Sequence, residues 1–237
     1  MIEAGMRMRD IPIRNKELLG ILDNYVKLRT DDQESFDRWS YKTCKNDIME
    51  DWTSEEYLRE VISQGLDHEG FPDSMKGYEF RLNKKEHMFF NNEFAESAEE
   101  GLYRTKFIKT LAEINHQMWN FMGCRNQALT AMYPPGGYIA WHNNANAAAW
   151  NFIFTYSETG EGHFKYWDIE KQEIVYMHDK PGWQCKAGYF GRYDEPENVF
   201  YHAAETKCWR QTVSFCFDTS QLSGEYREEI IDEISSE

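Results

Sequence analysis

Trp209-Arg210-Gln211-Thr212-Val213-Ser214-Phe215-Cys216-Phe217 reads as a β-strand with two unlike faces. Side chains alternate across a strand, so Trp209, Val213, Phe215 and Phe217 share one face, with Gln211 the exception. Arg210, Thr212, Ser214 and Cys216 share the other. The apolar face suits a cover of helices. The polar face, turned into a barrel, would line a pocket; turned outward, it would leave Arg210 as a surface cation.

Moving back from this strand, short segments rich in aromatic and β-branched residues recur at 127–133, 138–142, 150–156, 163–168, 173–178, 185–190 and 199–202. Turn residues separate them, most clearly Thr159-Gly160-Glu161-Gly162 and Asp179-Lys180-Pro181-Gly182. With 209–218 they make about eight strands without an intervening helical period, which predicts an antiparallel sandwich or barrel.

Before residue 125 the texture is helical. Phe107, Ile108, Leu111, Ile114, Met118, Phe121 and Met122 recur mostly at steps of three and four, and Gly123 follows as a stop. His116 falls off that apolar face, as a solvated histidine would. Leu18, Leu22, Tyr25 and Val26 predict a shorter helix. Thr53-Ser54-Glu55-Glu56 has the pattern of a capping box led by Thr53, starting a helix with Tyr57, Leu58, Val61 and Ile62 on one face and a stop at Gly65. A strand is expected at 78–82, and Tyr226, Ile230, Ile231 and Ile234 give the acidic C-terminal stretch a near-helical spacing.

Composition narrows the function. With 41% hydrophobic and 16% aromatic residues the chain can bury a core. A net charge of -15 argues against sequence-independent binding of nucleic acid, which needs a basic surface. No apolar run reaches the ~18 residues of a membrane span, and Glu3, Arg7, Arg9 and Asp10 stand where a signal peptide would be apolar, so the expectation is a soluble cytoplasmic protein acting on a small-molecule or protein substrate. Five cysteines without a C-x-x-C pair suggest reduced thiols. No Walker-type loop, H-E-x-x-H or G-x-S-x-G occurs.

The chemistry concentrates in two places. His142 closes Tyr138-Ile139-Ala140-Trp141-His142, with Asn144 two residues on, and on a strand those two would share a side. His202 precedes Arg210 by eight residues. Two imidazoles and an oxygen donor leave open positions on a metal such as iron. Arg210 with Thr212 offers a fixed charge and a hydroxyl for an anionic co-substrate. A histidine in an aromatic strand is, taken alone, equally a structural residue.

Together these residues resemble the 2-oxoglutarate and Fe(II)-dependent oxygenases, over roughly 127–218, and look closest to phage-type and prolyl-4-hydroxylase-like members. In the prolyl hydroxylase pattern a Tyr stands nine residues before the first metal His, a Gly six before it and an Asp two after it; here those places hold Tyr133, Gly136 and Asn144. The resemblance implies an α+β fold, a double-stranded β-helix (jelly roll) over 126–220, with a mainly helical region over 1–125 packed on one sheet and an acidic tail over 221–237, as one domain. It implies His142, Asn144 and His202 as catalytic metal ligands and Arg210, Thr212 and Tyr133 as the residues holding 2-oxoglutarate. The implied activity is that of a dioxygenase, an oxidoreductase that hydroxylates a C–H bond and releases succinate and CO2.

Three positions depart from the pattern. Ile139 stands where a second Tyr is common, Arg210 where prolyl hydroxylases use Lys, and Asn144 in the place of the carboxylate ligand. For Asn144 three outcomes are open: coordination by the amide, a site completed by water or an anion, or loss of the metal, which would leave a jelly-roll binding protein. A cupin-like metalloenzyme indifferent to 2-oxoglutarate is a further alternative. Asp168 and Glu161 are candidate replacement carboxylates, and His163 and His178 candidate outer contacts. Trp141, Trp150, Tyr166, Trp167 and Trp183 are candidates for a substrate mouth, with packing as the alternative.

Overall fold

The chain runs β1 (Met8–Ile11), α1 (Lys16–Thr30), α2 (Gln33–Ser40), β2 (Cys44–Asn46), α3 (Glu55–Ser63), β3 (Met75–Glu79), α4 (Ala98–Met122) and β4 (Gln127–Tyr133). It continues through β5 (Tyr138–His142), β6 (Ala149–Ser157), β7 (Gly162–Asp168), β8 (Glu173–His178), β9 (Gly182–Phe190), β10 (His202–Thr206), β11 (Arg210–Phe217) and α5 (Gln221–Ser235). The structure is a computed structural model and describes residues 7–40, 44–46, 51–64, 75–80, 95–124, 127–145, 148–218 and 220–237.

The strands form one curled antiparallel sheet in the order β1-β9-β6-β11-β4-β3-β5-β10-β7-β8, with β2 on β3. Because β3 pairs with both β4 and β5, it joins a larger layer, β1-β9-β6-β11-β4, to a smaller one, β5-β10-β7-β8. The inward side chains of the two layers share a core that includes Met75, Tyr133, Ile139, Ile153, Phe164, Phe190 and Phe200. This is the α+β jelly roll expected from the sequence, with most helices on one sheet and α3 on the other.

Helices α1, α4 and α5 cover the outer face of the larger layer, where the Arg210 strand is apolar, while α3 packs against the smaller layer through Leu58 and Val61. Val213, Phe215 and Phe217 of β11 and Phe152 and Phe154 of β6 pack with Leu18, Leu22 and Tyr25 of α1, Leu111 and Met118 of α4 and Ile230 and Ile234 of α5. Burying one such Phe contributes roughly 1.5–3 kcal/mol. The alternation along β11 therefore fixes which face is inside: Arg210, Thr212 and Ser214 are buried between the layers instead of facing water.

The helix ends follow their capping chemistry. Ser97 accepts from the N–H of Glu100 at the start of α4, and Gly123 ends the helix at φ 60, a conformation that glycine reaches without a side-chain clash. His116 lies on the exposed side of α4, as expected. For α3 the N-cap is Ser54, whose hydroxyl accepts from the N–H of Tyr57, and not Thr53. The Thr53 hydroxyl instead donates to Glu205 of β10. The expected stop at Gly65 and the end of the strand expected at 78–82 lie outside the described residues; its start falls in β3.

Two further differences concern strands. His202 begins its strand where the sequence suggested it would end one, because 199–201 lie before β10 and only the run from His202 to Thr206 pairs with β5 and β7. The N-terminal region, read as mainly helix and loop with one strand at 78–82, also contributes β1 and β2 to the sheet. Among the described residues no helix is long and apolar enough to cross a membrane.

Candidate functional site

The turn between β4 and β5 sets the position of the site. Gly136 takes φ 73, and a Cβ on Gly137 would lie 2.7 Å from the Pro134 carbonyl oxygen, so the tight turn requires glycine at both places. Gly136 donates to the Thr206 carbonyl and Thr206 donates to the Gly137 carbonyl, which locks the turn to the end of β10. From that anchor β5 and β10 run antiparallel, and His142 stands directly opposite His202.

Opposed residues on an antiparallel ladder project from the same face. The imidazole centroids of His142 and His202 are 4.1 Å apart. Both side chains are buried, and both are tethered in the same way. His142 Nδ1 donates to the Ala140 carbonyl at 2.8 Å, and His202 Nδ1 donates to the Phe200 carbonyl at 3.0 Å. A carbonyl can only accept, so each Nδ1 carries the proton and each Nε2 is the basic nitrogen. Burial among Phe164, Phe190 and Phe200 holds His202 down to about 4, the Phe200 hydrogen bond only partly offsetting it. At neutral pH His202 is therefore an uncharged imidazole.

β5 ends at His142. The Asn143 side chain accepts from the N–H of Ala145 at 3.1 Å, turning the chain so that Asn144 reaches the same space from a loop instead of from a strand. His142, Asn144, His202, Tyr133, Arg210 and Thr212 all line one cavity of about 120 Å³ between the layers. Its apolar wall is formed by Leu129, Ile139, Ile153, Phe164, Phe190 and Ala204, and Asn151, Ser214 and Cys216 complete the lining.

Arg210 occupies one part of this lining with its donors organised. Nε donates to Asp179 Oδ2 at 2.8 Å, one terminal nitrogen to Thr212 Oγ1 at 2.8 Å and the other to Thr155 Oγ1 at 3.5 Å. The guanidinium lies 5.8 Å from the ring centroid of Tyr133, its partner across β4 and β11. Burial raises the Tyr133 phenol above its ordinary range despite the opposing pull of Arg210, so it is a neutral hydroxyl.

The donor set suits a small mononuclear metal: two imidazoles fixed by backbone carbonyls, with the Asn144 amide lining the same cavity. Among the described residues no group of three or more His, Cys, Asp or Glu side chains could hold a metal, so Asn144 has no carboxylate substitute nearby. Asp168 is not in the cavity; it accepts from the N–H groups of Glu170 and Lys171 in the turn after β7. Glu161 bonds Thr159 on an exposed turn. His163 and His178 face each other across β7 and β8, on the side opposite Phe164, where His163 lies 3.2 Å from Glu205. None of the five aromatic candidates for a substrate mouth lines the cavity. Trp141 and Trp167 pack with α3, Trp150 and Trp183 with the helices on the larger layer, and Tyr166 in the core between layers.

Sequence reading missed Asp179 and Thr155. Asp179 stands in a turn, 31 residues before Arg210, and nothing local marks it as the partner of a buried cation. Thr155 is opposite Thr212 on the neighbouring strand, so strand register would have found it.

No family model matches this sequence, and no curated protein matches it. Among solved structures the fold is similar to a Pseudomonas putida prolyl-4-hydroxylase, at 11% identity over 90% of this chain and 92% of that one, with a TM-score of 0.40. A collagen prolyl hydroxylase from Paramecium bursaria Chlorella virus-1, solved as a 2OG complex, is 12% identical over 70% and 89%, with a TM-score of 0.29. AtDAO1, a dioxygenase for auxin oxidation from Arabidopsis thaliana solved with 2-oxoglutarate, is 8% identical over 91% and 85%, with a TM-score of 0.36.

Proposed function

We propose that this protein is an Fe(II)- and 2-oxoglutarate-dependent dioxygenase that hydroxylates a C–H bond of its substrate. The observation that carries this reading is the convergence of His142, His202 and Asn144 with Arg210, Thr212 and Tyr133 on a single cavity. Iron(II) with 2-oxoglutarate supplies O2-dependent oxidation, the keto acid leaving as succinate and CO2.

The chain's own residues bind and orient. His142 and His202 offer Nε2 as the ligating nitrogen, because their Nδ1 protons are already committed to carbonyls. The Asn144 amide oxygen is the third donor. Arg210, aligned by Asp179 and Thr155, presents its remaining N–H donors beside the Thr212 hydroxyl, a combination that recognises the distal carboxylate of a dicarboxylic keto acid. Tyr133 adds a neutral hydroxyl to the same wall. Ile139, Ile153, Phe164 and Phe190 limit the entry of water, which strengthens each polar contact inside.

The test is to add Fe(II) and 2-oxoglutarate to the protein under anaerobic conditions, record the metal-to-keto-acid charge-transfer band, then admit air and assay succinate. Wild type should give both signals. Their survival in a His142→Ala/His202→Ala double variant would overturn the assignment.

The amide at Asn144 supports a second reading, a jelly-roll protein that binds a keto acid or related anion without redox chemistry. In that case the cavity takes up 2-oxoglutarate, but iron is not retained and no succinate forms.

A further inference from the structure

Lys186 of β9 stands opposite Ile153 of β6, which stands opposite Ser214 of β11. Residues opposed in register point to one face, and Ile153 and Ser214 both line the cavity, so Lys186 belongs to the same inward row. Its side chain is 1% exposed, and among the described residues Nζ has no hydrogen-bond partner. Among the described residues the nearest carboxylate, Asp10 Oδ1, lies 4.0 Å away on a side chain that is 74% exposed, where water screens the attraction.

An ammonium sealed from water without an acceptor is expensive, and a methionine would fill the same space without that penalty. The surroundings show what a charge accomplishes there. Burial pulls the Lys186 amine below its ordinary value, Asp179 pulls it back up, and Arg210 lowers it further, so the three groups share one electrostatic environment. Arg210 is already paired with Asp179 at 2.8 Å, and among the described residues Asp179 Oδ1 has no hydrogen-bond partner. One cation and one anion cancel. With its amine protonated, Lys186 gives these three groups one positive charge in excess, which one entering carboxylate would neutralise.

We propose that Lys186 is a further binding residue for the distal carboxylate of the keto acid: it supplies the net charge that draws the dianion in, while the Asp179-clamped Arg210 supplies orientation. The flexible four-carbon stem lets the ammonium turn toward the carboxylate and gain the acceptor that it lacks. Asp179 thus lowers the attraction that Arg210 alone would exert, and selectivity for a second carboxylate shifts to Lys186. This inference rests on the keto-acid reading of the cavity.

The experiment compares wild type with Lys186→Met and Lys186→Gln by calorimetric titration in the presence of Mn(II), a redox-silent metal. The ligands are 2-oxoglutarate and 2-oxopentanoate, which carries the same keto-acid head without the distal carboxylate. Removal of the charge should weaken 2-oxoglutarate binding on the order of 10- to 100-fold and leave 2-oxopentanoate unchanged. Urea midpoints of Lys186→Met should equal or exceed that of wild type, a pairing of weaker binding with undiminished stability that a structural lysine would not give. Lys186→Arg should retain the preference for the dicarboxylate. Wild-type affinity for 2-oxoglutarate in both neutral variants, or an equal loss for both acids, overturns the role of Lys186 while leaving the keto-acid reading in place. Failure of wild type to bind 2-oxoglutarate overturns both.

Discussion

His142 and His202 face each other across β5 and β10 with imidazole centroids 4.1 Å apart, each ring held by a hydrogen bond from Nδ1 to the carbonyl two residues before it. The repeated tether orients both rings without any metal, so the pair is preorganised. Replacing either ring with alanine should lower Mn(II) or Fe(II) affinity by at least about 10-fold, the scale seen even for outer contacts to metal ligands. Loss should be larger for the double variant. Equilibrium dialysis with metal analysis reads it, and near-UV circular dichroism checks that the fold persists. Metal retention at wild-type stoichiometry in the double variant would place the metal elsewhere.

Asn144 is the proposed third donor, and its chemistry can be changed by a single atom. An amide oxygen carries no formal charge, whereas a carboxylate adds direct Coulomb attraction to a divalent cation in a site shielded from water. Asn144→Asp should tighten divalent metal binding by about 10-fold or more, with the gain shrinking at high ionic strength. Unchanged affinity would show that residue 144 does not reach the metal.

The Arg210–Asp179 pair is buried on both sides, with side-chain exposures of 2% and 0%. Removing one member of a buried pair leaves an uncompensated charge, which costs about 3–5 kcal/mol. Asp179→Ala should therefore lower the urea-unfolding free energy by that amount. Asp179→Asn keeps an acceptor for Nε and should cost less, while tightening 2-oxoglutarate binding because the opposing negative charge is gone. If Asp179→Ala unfolds at the wild-type urea concentration, the pair does not carry the charge balance argued for the cavity.

The parts of this architecture that could be read from sequence are those encoded by local periodicity. β11 alternates so sharply that its polar and apolar faces are separable in sequence, although which of them is inside is set by the helices packed on it, and α4 combines steps of three and four with Gly123 as a stop. Long-range partners were not legible. Thr53 and Ser54 are both competent caps, and the choice is made by Glu205, 152 residues from Thr53, which takes the Thr53 hydroxyl and leaves Ser54 to cap α3. Met8 and Ile11 have no strand period of their own and become β1 only by pairing with β9. The aromatic residues on β5, β6 and β7 were visible as a group, but which face each occupies depends on the helices packed against them, so Trp141 and Trp150 belong to covered outer faces and not to a substrate mouth.

Glu205 itself gives the clearest pH prediction. Burial would raise its carboxyl, but the hydrogen bond from Thr53, with Lys165 and His163 close by, more than offsets that and holds it below its ordinary value. A depressed carboxyl contributes stability above its unfolded-state value and loses it as pH falls through the folded-state value. Glu205 is 39% exposed, so water screens the contribution, and it should amount to ~0.2–1 kcal/mol. His163 titrates nearby, held below its own ordinary value chiefly by burial, with Glu205 opposing that shift and Lys165 and His178 reinforcing it. The comparison is therefore made in a His163→Gln background. Urea unfolding of that background and of its Glu205→Gln derivative should differ most between pH 6 and pH 7 and converge as the pH drops below the ordinary carboxylate range. A difference that stays constant down to pH 3 would remove Glu205 as the group that fastens the Thr53 segment to the smaller layer.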